Sequence, residues 1–325
     1  MKSIASDLLK NYSLMIALPV VIFIVMMMIA PQMVGTNNIT SLFQQAIAPA
    51  VLGWGVLFNI KVGNWDFSVG SSVLLSAIIG GNIAVMLNLG IPGLIIFCLI
   101  TGMVCGLLVG LVYKLLNIPT IIVSIGMMLI FESAGGYVFG GTGIFIPSGW
   151  RLLGTGDIFV IAIVAAVVAY ILFYKTKIGY NVRAVGNNAN VAMTNGLDVV
   201  KTKMSAILIA GLFAGAFAML SLGTSGVQRT VSAMGTMGMI FDAMMCVFVG
   251  MAISRKGNLI LSVYCGSLIM QLIRLALMVF GFPSEYNSIV IALLVLLFMT
   301  LSSRSDIFEK FTFRKNKRRC IQNEH

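Results

Sequence analysis

Charge is scarce in this chain. Of its 325 residues 10% are Asp, Glu, Lys or Arg, against 59% hydrophobic residues and a mean hydropathy of +1.03. Soluble domains carry about a quarter charged residues, so a water-soluble fold is excluded and a polytopic membrane protein is indicated. Histidine is rarer still: the single one, His325, stands at the end of the sequence. No nucleophile therefore sits beside a histidine, no group of His, Cys, Asp and Glu has metal-ligand spacing, and no phosphate-cradling GxxxxGK[ST] occurs. The expectation is no catalytic residue, no metal and no cofactor bound by this chain, hence a protein that is not an enzyme. Work against a gradient would draw on an ion gradient or on a partner that hydrolyses ATP. The five cysteines form no CxxC and read as reduced packing residues. Acids are the scarcer sign, ten against 21 Lys and Arg. The basic residues lie in short loops and the tail rather than on a face interleaved with aromatics, so nucleic acid is not an expected partner.

What is present is a series of apolar runs, near residues 14–33, 42–60, 70–88, 93–114, 120–138, 157–174, 204–222, 237–253, 258–280 and 287–302. Each is long enough to cross, or nearly cross, a hydrocarbon core of about 30 Å as a helix. The first follows Lys2 and Lys10, is too long for a signal-peptide core and lacks a small-residue cleavage site, so it reads as a retained span. With the N-terminus inside, alternation places eighteen Lys and Arg on the cytoplasmic side and two, Arg151 and Arg229, outside. That asymmetry supports an even span count with both termini cytoplasmic. The expected fold is an all-α membrane protein, a polytopic bundle of about ten transmembrane helices. Residues 1–303 form a single transmembrane domain and 304–325 a basic cytoplasmic tail, whose RKNKRR (314–319) meets anionic headgroups or water. Ten spans are compatible with two inverted five-span halves, although no sequence repeat is visible. Gly102, Gly106 and Gly110, with Gly211 and Gly215, offer smooth faces for close helix approach. The Gly-rich stretch 134–143 has the composition of a broken helix.

Two polar stretches interrupt this pattern. Lys175–Lys203 carries five basic residues and one acid, Asp198, which puts it on the cytoplasmic side as a docking surface. Within it Asn188 is placed to cap a short helix over Ala189–Asn195, and Gly196 to end it in a left-handed conformation. Val191, Ala192 and Asn195 are expected on its exposed side. The bland alternative is a surface helix without a partner. The second stretch, GNWDFSVG (63–70), sets an acid among glycines, a serine and an aromatic between two spans. It reads equally as non-helical backbone buried in protein or facing a wet cavity, or as an ordinary turn in which Asp66 caps the next helix. Trp65 suits stacking on a sugar face or anchoring at the interface, with anchoring or packing favoured; Phe43, Phe139 and the methionines read as packing.

Together these stretches carry a resemblance. GNWDFSVG resembles the GGIDLSVG-like motif of the permeases of ribose-type ABC sugar importers, a family related to the branched-chain amino-acid permeases. NIPTIIVSIGMMLI (117–130) and AVGNNANVAMTNGLDVVKTK (184–203) are similar to two further segments of that family, collinear over nearly the whole chain. The resemblance implies a bacterial inner-membrane, multi-pass subunit that moves a monosaccharide or similar small polar solute inward by alternating access. It implies a coupling helix in the 175–203 loop that docks on ABC ATPase subunits, which carry ATP and Mg. Gly186, Asn187, Asn188, Ala192, Asn195 and Gly196 are the residues assigned to that docking. A second permease chain, identical or not, and an extracytoplasmic solute-binding protein are the other implied partners.

The sequence also departs from the family. Where acidic and arginine residues are usual in the coupling helix, it has Ala189, Asn190 and Met193; GMAISRKG (250–257) keeps only Gly250 and Gly257 of an expected glycine motif. Glu132 replaces an arginine in span five, and Arg274 an amide in span nine. Asp242 and Arg274 lie at similar depth on neighbouring spans, and an arginine in lipid requires a partner or a wet cavity. Arg274, with Gln271 one turn away and Asp242 or Glu132 opposite, is therefore a candidate for the solute path, alongside Asn64, Trp65, Asp66, Ser68 and Gly70. A purely structural ion pair is the alternative; a pathway role would favour an acidic or highly hydroxylated ligand. Two rival functions remain from sequence: a gradient-driven secondary transporter or channel, and a non-conducting sensing or scaffold subunit. The first places ionisable residues at mid-membrane, whereas Asp242, Glu132 and Asp157 lie toward span ends.

Overall fold

The computed structural model describes residues 36–151, 155–254 and 257–279 continuously, with isolated positions between 17 and 27 and between 281 and 293. The expected last span and basic tail, most of the first span, and the Arg255–Lys256 pair lie outside the described residues. The described chain is helical: α1 Thr36–Val62, α2 Ser68–Met86, α3 Gly90–Leu116, α4 Thr120–Tyr137, α5 Thr155–Tyr170, α6 Lys177–Asn187, α7 Ala189–Thr194, α8 Val199–Ser225, α9 Met237–Ile253 and α10 Leu259–Val279. Seven of the described helices are long and apolar enough to cross a membrane, and α9 is a shorter apolar helix. Each run expected between 42 and 280 coincides with one of these eight. The apolar side chains face two ways, as a membrane solvent allows: α1, α2 and α8 bury theirs in the bundle, while α5 leaves Val160, Ile163, Val164 and Val167 exposed.

Helix α8 is the centre of the bundle, packed by α1, α2 and α3. Its contact with α3 is backbone against backbone: a Cβ at Gly102 would strike the Gly211 carbonyl, and one at Gly106 would lie 2.9 Å from the Ile207 carbonyl. Small residues allow that approach, and many close contacts replace the hydrophobic drive that lipid removes. On the other side α1 is tied to α10 by Trp54 Nε1 donating to the Ile260 carbonyl at 2.9 Å and Ser267 Oγ to the Ala46 carbonyl at 2.6 Å. Helix ends follow local chemistry. Asn117, left-handed at φ 51°, closes α3 just before Pro119, and Gly226 at φ 76° closes α8.

The stretch 134–143 does break: α4 ends at Tyr137 and a 3-10 turn follows, with Phe139 and Gly140 left-handed at φ 53° and 72°. Beyond it, β1 (Ile144–Phe145) pairs antiparallel with β2 (Val227–Gln228), joining the loop after α4 to the loop after α8.

The 175–203 segment is less of a loop than its polarity suggests. The π-helical end of α5 runs to Lys175, α6 and α7 fill the middle, and α8 starts at Val199, so Lys201 and Lys203 belong to α8. Hydropathy marks where a helix can enter lipid but not where it stops in water. Here caps decide: Thr176 Oγ1 accepts from the Gly179 N–H at 3.3 Å, and Asp198 from the Lys201 N–H at 2.9 Å.

Candidate functional site

The short helix α7 is built as the residue types require. Asn188 Oδ1 accepts from the N–H groups of Asn190 and Val191 at 3.0 and 3.1 Å, and Gly196 is left-handed at φ 82°. Val191 and Asn195 are exposed, as expected. Ala192 is not: its methyl, 5% exposed, is turned inward, where its carbonyl accepts from the Leu197 N–H at 3.0 Å. In a two-turn helix lying against the rest of the chain one side must be buried, and here a small side chain takes it. Downstream, the backbone N–H of Lys201 and then its side chain hold the Asp198 carboxyl below the usual carboxylate range. Upstream, Arg183 stacks over Phe173 and Tyr174 at 5.6 and 5.4 Å while its Nε donates to the Gly179 carbonyl.

At the end of α6 the knob touches the membrane domain. Gly186 lies so close to the Lys61 carbonyl that a Cβ there would overlap it. Lys61 is in the last turn of α1, and the 63–70 stretch begins two residues later.

That stretch takes one feature from each sequence reading: buried, non-helical backbone and an Asp66 cap. Gly63 is left-handed at φ 79°, and residues 64–66 are non-helical. Asn64, Asp66 and Ser68 are each buried. Asp66 also caps α2: its carboxylate accepts from the Ser68 N–H at 3.0 Å, Ser68 Oγ at 2.5 Å and Asn59 Nδ2 at 3.1 Å. Burial pushes the carboxyl up from its ordinary range, and the Ser68 and Asn59 hydrogen bonds pull it the other way. Asn64 Nδ2 donates to the Lys203 carbonyl at 3.3 Å, and the Trp65 carbonyl accepts from Ser124 Oγ at 3.3 Å. Trp65 is 40% exposed, and its ring centroid lies 6.2 Å from that of Phe248. Asn59 and Asn64 each leave Oδ1 buried without a donor among the described residues.

Gly70, Glu132 and Thr236 meet one layer further along α2. A Cβ at Gly70 would stand 2.5 Å from the Thr236 carbonyl. Glu132 faces neither Arg274 nor open space. Its carboxylate accepts from the N–H groups of Met234 and Thr236, both at 2.9 Å, and from Thr236 Oγ1 at 2.6 Å. It thereby holds the turn in which Ala233 and Met234 are left-handed at φ 56° and 64°.

Arg274 pairs with Asp242, Nη2 to Oδ1 at 2.5 Å, with the two side chains 28% and 34% exposed. Arg274 Nε has no acceptor among the described residues. Gln271 Nε2 donates to the Gln45 carbonyl at 3.2 Å, which sets α1 beside this pair.

The structure thus gathers the sequence-chosen residues into three places: the knob, the 63–70 segment with the Glu132 turn, and the Arg274 pair. Asn59, Lys61, Thr236 and Phe248 were not singled out from sequence, because nothing local marks a residue whose role is a contact with a distant helix.

No solved structure matches this chain. A fructose import permease protein of Bifidobacterium longum is 27% identical over 306 residues, covering 87% of this chain and 88% of its own length. A ribose import permease protein of Haemophilus influenzae is 29% identical over 292 residues, covering 85% and 88%. The galactose/methyl galactoside import permease protein of the same organism is 25% identical, covering 93% and 96%. The family described as branched-chain amino acid transport system / permease component matches residues 38–299, and the chain, a multi-pass protein of the bacterial inner membrane, belongs to that family.

Proposed function

We propose that this chain is the transmembrane subunit of an ABC importer that carries a monosaccharide or similar small polar solute inward by alternating access. The observation that carries the reading is the capped knob 188–196 standing in backbone contact, through Gly186 and Lys61, with the start of the 63–70 segment. A docking element that touched nothing in the membrane domain could not pass work to it. Here the ATPase, carrying ATP and Mg, docks on the exposed Gly186, Asn187, Asn188, Asn195 and Gly196, while the buried Ala192 seats the knob from its inner side. It biases the permease by contacting its two states differently. Solute passes Asn64, Trp65, Asp66 and Ser68 on one side and the Gln271, Arg274 and Asp242 group on the other, while Gly70 and Glu132 hold the turn behind them. The Oδ1 atoms of Asn59 and Asn64 and the Arg274 Nε, which have no partner among the described residues, suit a ligand with hydroxyls, each of which both donates and accepts.

The topology that goes with this reading has ten spans, both termini cytoplasmic and two inverted halves. Its support is the lysine and arginine asymmetry and a repeated pattern of packing: α1 against α8, α2 against α3 as α9 against α10, and α3 against α8 as α10 against α1. A second permease chain and an external solute-binding protein complete the assembly. Proteoliposomes holding the permease with its co-expressed ATPase should accumulate one or more of labelled fructose, ribose and galactose only when ATP is supplied with the binding protein. Uptake that needs no ATPase and collapses with a proton or sodium ionophore would overturn the reading in favour of a secondary transporter.

A further inference from the structure

We propose that the ATPase receives the knob in an uncharged socket with apolar walls, and that the lysines of the loop take no part in holding it. This rests on the reading of the knob as the ATPase-docking element and names the chemistry of the surface it meets.

From Ala184 to Leu197 the sequence carries no charged residue, inside a segment that is otherwise the most basic of the described loops. The fold fixes which side chains of this stretch face outward. Ala192 is buried and marks the inner side of α7. At about 100° per residue, Val191 and Met193 flank that side, and Asn190 and Thr194 form the ridge between them on the far side. Val191 is 55% and Met193 60% exposed, so the ridge is bordered on both flanks by large apolar side chains in water. Two of the four amides of the stretch are turned to the knob's own backbone: Asn188 Oδ1 caps the helix start, and Asn195 Nδ2 donates to the Val191 carbonyl at 2.7 Å, which leaves Asn187 and Asn190 as uncharged polar groups toward a partner.

The charges nearest the stretch on either side are likewise committed. Arg183 is stacked on two rings and bonded to the Gly179 carbonyl, and Lys201 pairs with Asp198 at 3.2 Å. What remains to meet a partner is an uncharged ridge with two apolar shoulders. A socket lined with charge would lose its hydration against such a surface and gain no counter-charge, whereas apolar walls bury Val191 and Met193 together.

The test uses the full-length permease in lipid nanodiscs and, as probe, the ATPase subunit co-expressed with it, with the dissociation constant measured at low and high salt. Met193→Glu and Met193→Lys should both weaken binding at least about tenfold, because an apolar wall rejects either sign. Met193→Leu should bind as the wild type, and the wild-type constant should change less than about twofold across the salt range. Thermal unfolding of each variant checks its fold; Val191→Glu and Val191→Lys repeat the pair on the opposite shoulder. Tight binding of Met193→Lys with loss in Met193→Glu, or steep weakening by salt, would assign an acidic socket and overturn the proposal. If wild type and both charge variants bind equally, the socket falls while the importer reading stands. If the wild type binds no ATPase at all, both fall.

Discussion

The knob at 188–196 and the segment at 63–70 are one backbone contact apart and are held by opposite means. The knob is self-sufficient: its cap, its stop and its side-chain bonds all come from within eight residues, and most of its surface is wet. The 63–70 segment adds to its local Asp66 cap a set of partners far along the chain, Lys203, Ser124, Phe248 and Thr236, and is mostly buried. A part that engages a separate subunit can be rigid on its own account. A part that must take two arrangements is better specified by neighbours that can move.

Three substitutions sharpen or break that contrast. The largest effect belongs to Asp66→Ala, which strands two Ser68 donors and Asn59 Nδ2 in a buried place. It should lower the stability of the purified protein by about 3 kcal/mol, read as a fall in thermal midpoint, with Asp66→Asn recovering part. An unchanged midpoint would mean that the segment is not held from within the bundle. Next is Arg274→Gln. Because a third of the pair is exposed, its coupling to Asp242 should be about 1 kcal/mol in a double-mutant cycle with Asp242→Asn, yet sugar uptake should fall well beyond what that loss explains. Normal uptake with unchanged affinity and sugar range would reduce the pair to scaffolding. The smallest effect on stability is that of Asn188→Ala, which removes a cap worth about 1 kcal/mol. Amide exchange should rise at Asn190 and Val191 while the global midpoint stays put, and ATP-driven uptake should drop. Asn188→Asp, an equally good cap, should restore both. A global loss of stability in Asn188→Ala would show that the knob is not independent.

The same contrast explains what the sequence made legible. Spans declare themselves by length and apolarity, so each run expected between 42 and 280 lies on a helix, and Asn188 and Gly196 declare the knob because caps are local. Ala192 was misplaced because exposure depends on which side of a short helix meets the rest of the chain, and no neighbour within the stretch records that. The start of α8 at Val199 was missed because a polar first turn looks like loop until its cap is recognised. Glu132 was legible as a buried acid but not in its use, since the N–H groups it holds belong to a turn about a hundred residues away. The Asp242–Arg274 pair was within reach of sequence because both residues are costly in lipid and sit at matching depth.

The glycine seam between α3 and α8 has a mechanical consequence. Where two helices touch backbone to backbone there is no layer of side chains to shear, so they tilt as one beam. Helix α8 has 27 residues, and its first turns carry Lys203, the carbonyl on which Asn64 hangs. At 1.5 Å per residue the beam is about 40 Å long, and a tilt of about 5° about its first turn sweeps the opposite end by about 3 Å. Under the proposed function, a small stroke delivered beside the knob is thus geared up into a larger displacement at the other end of α8.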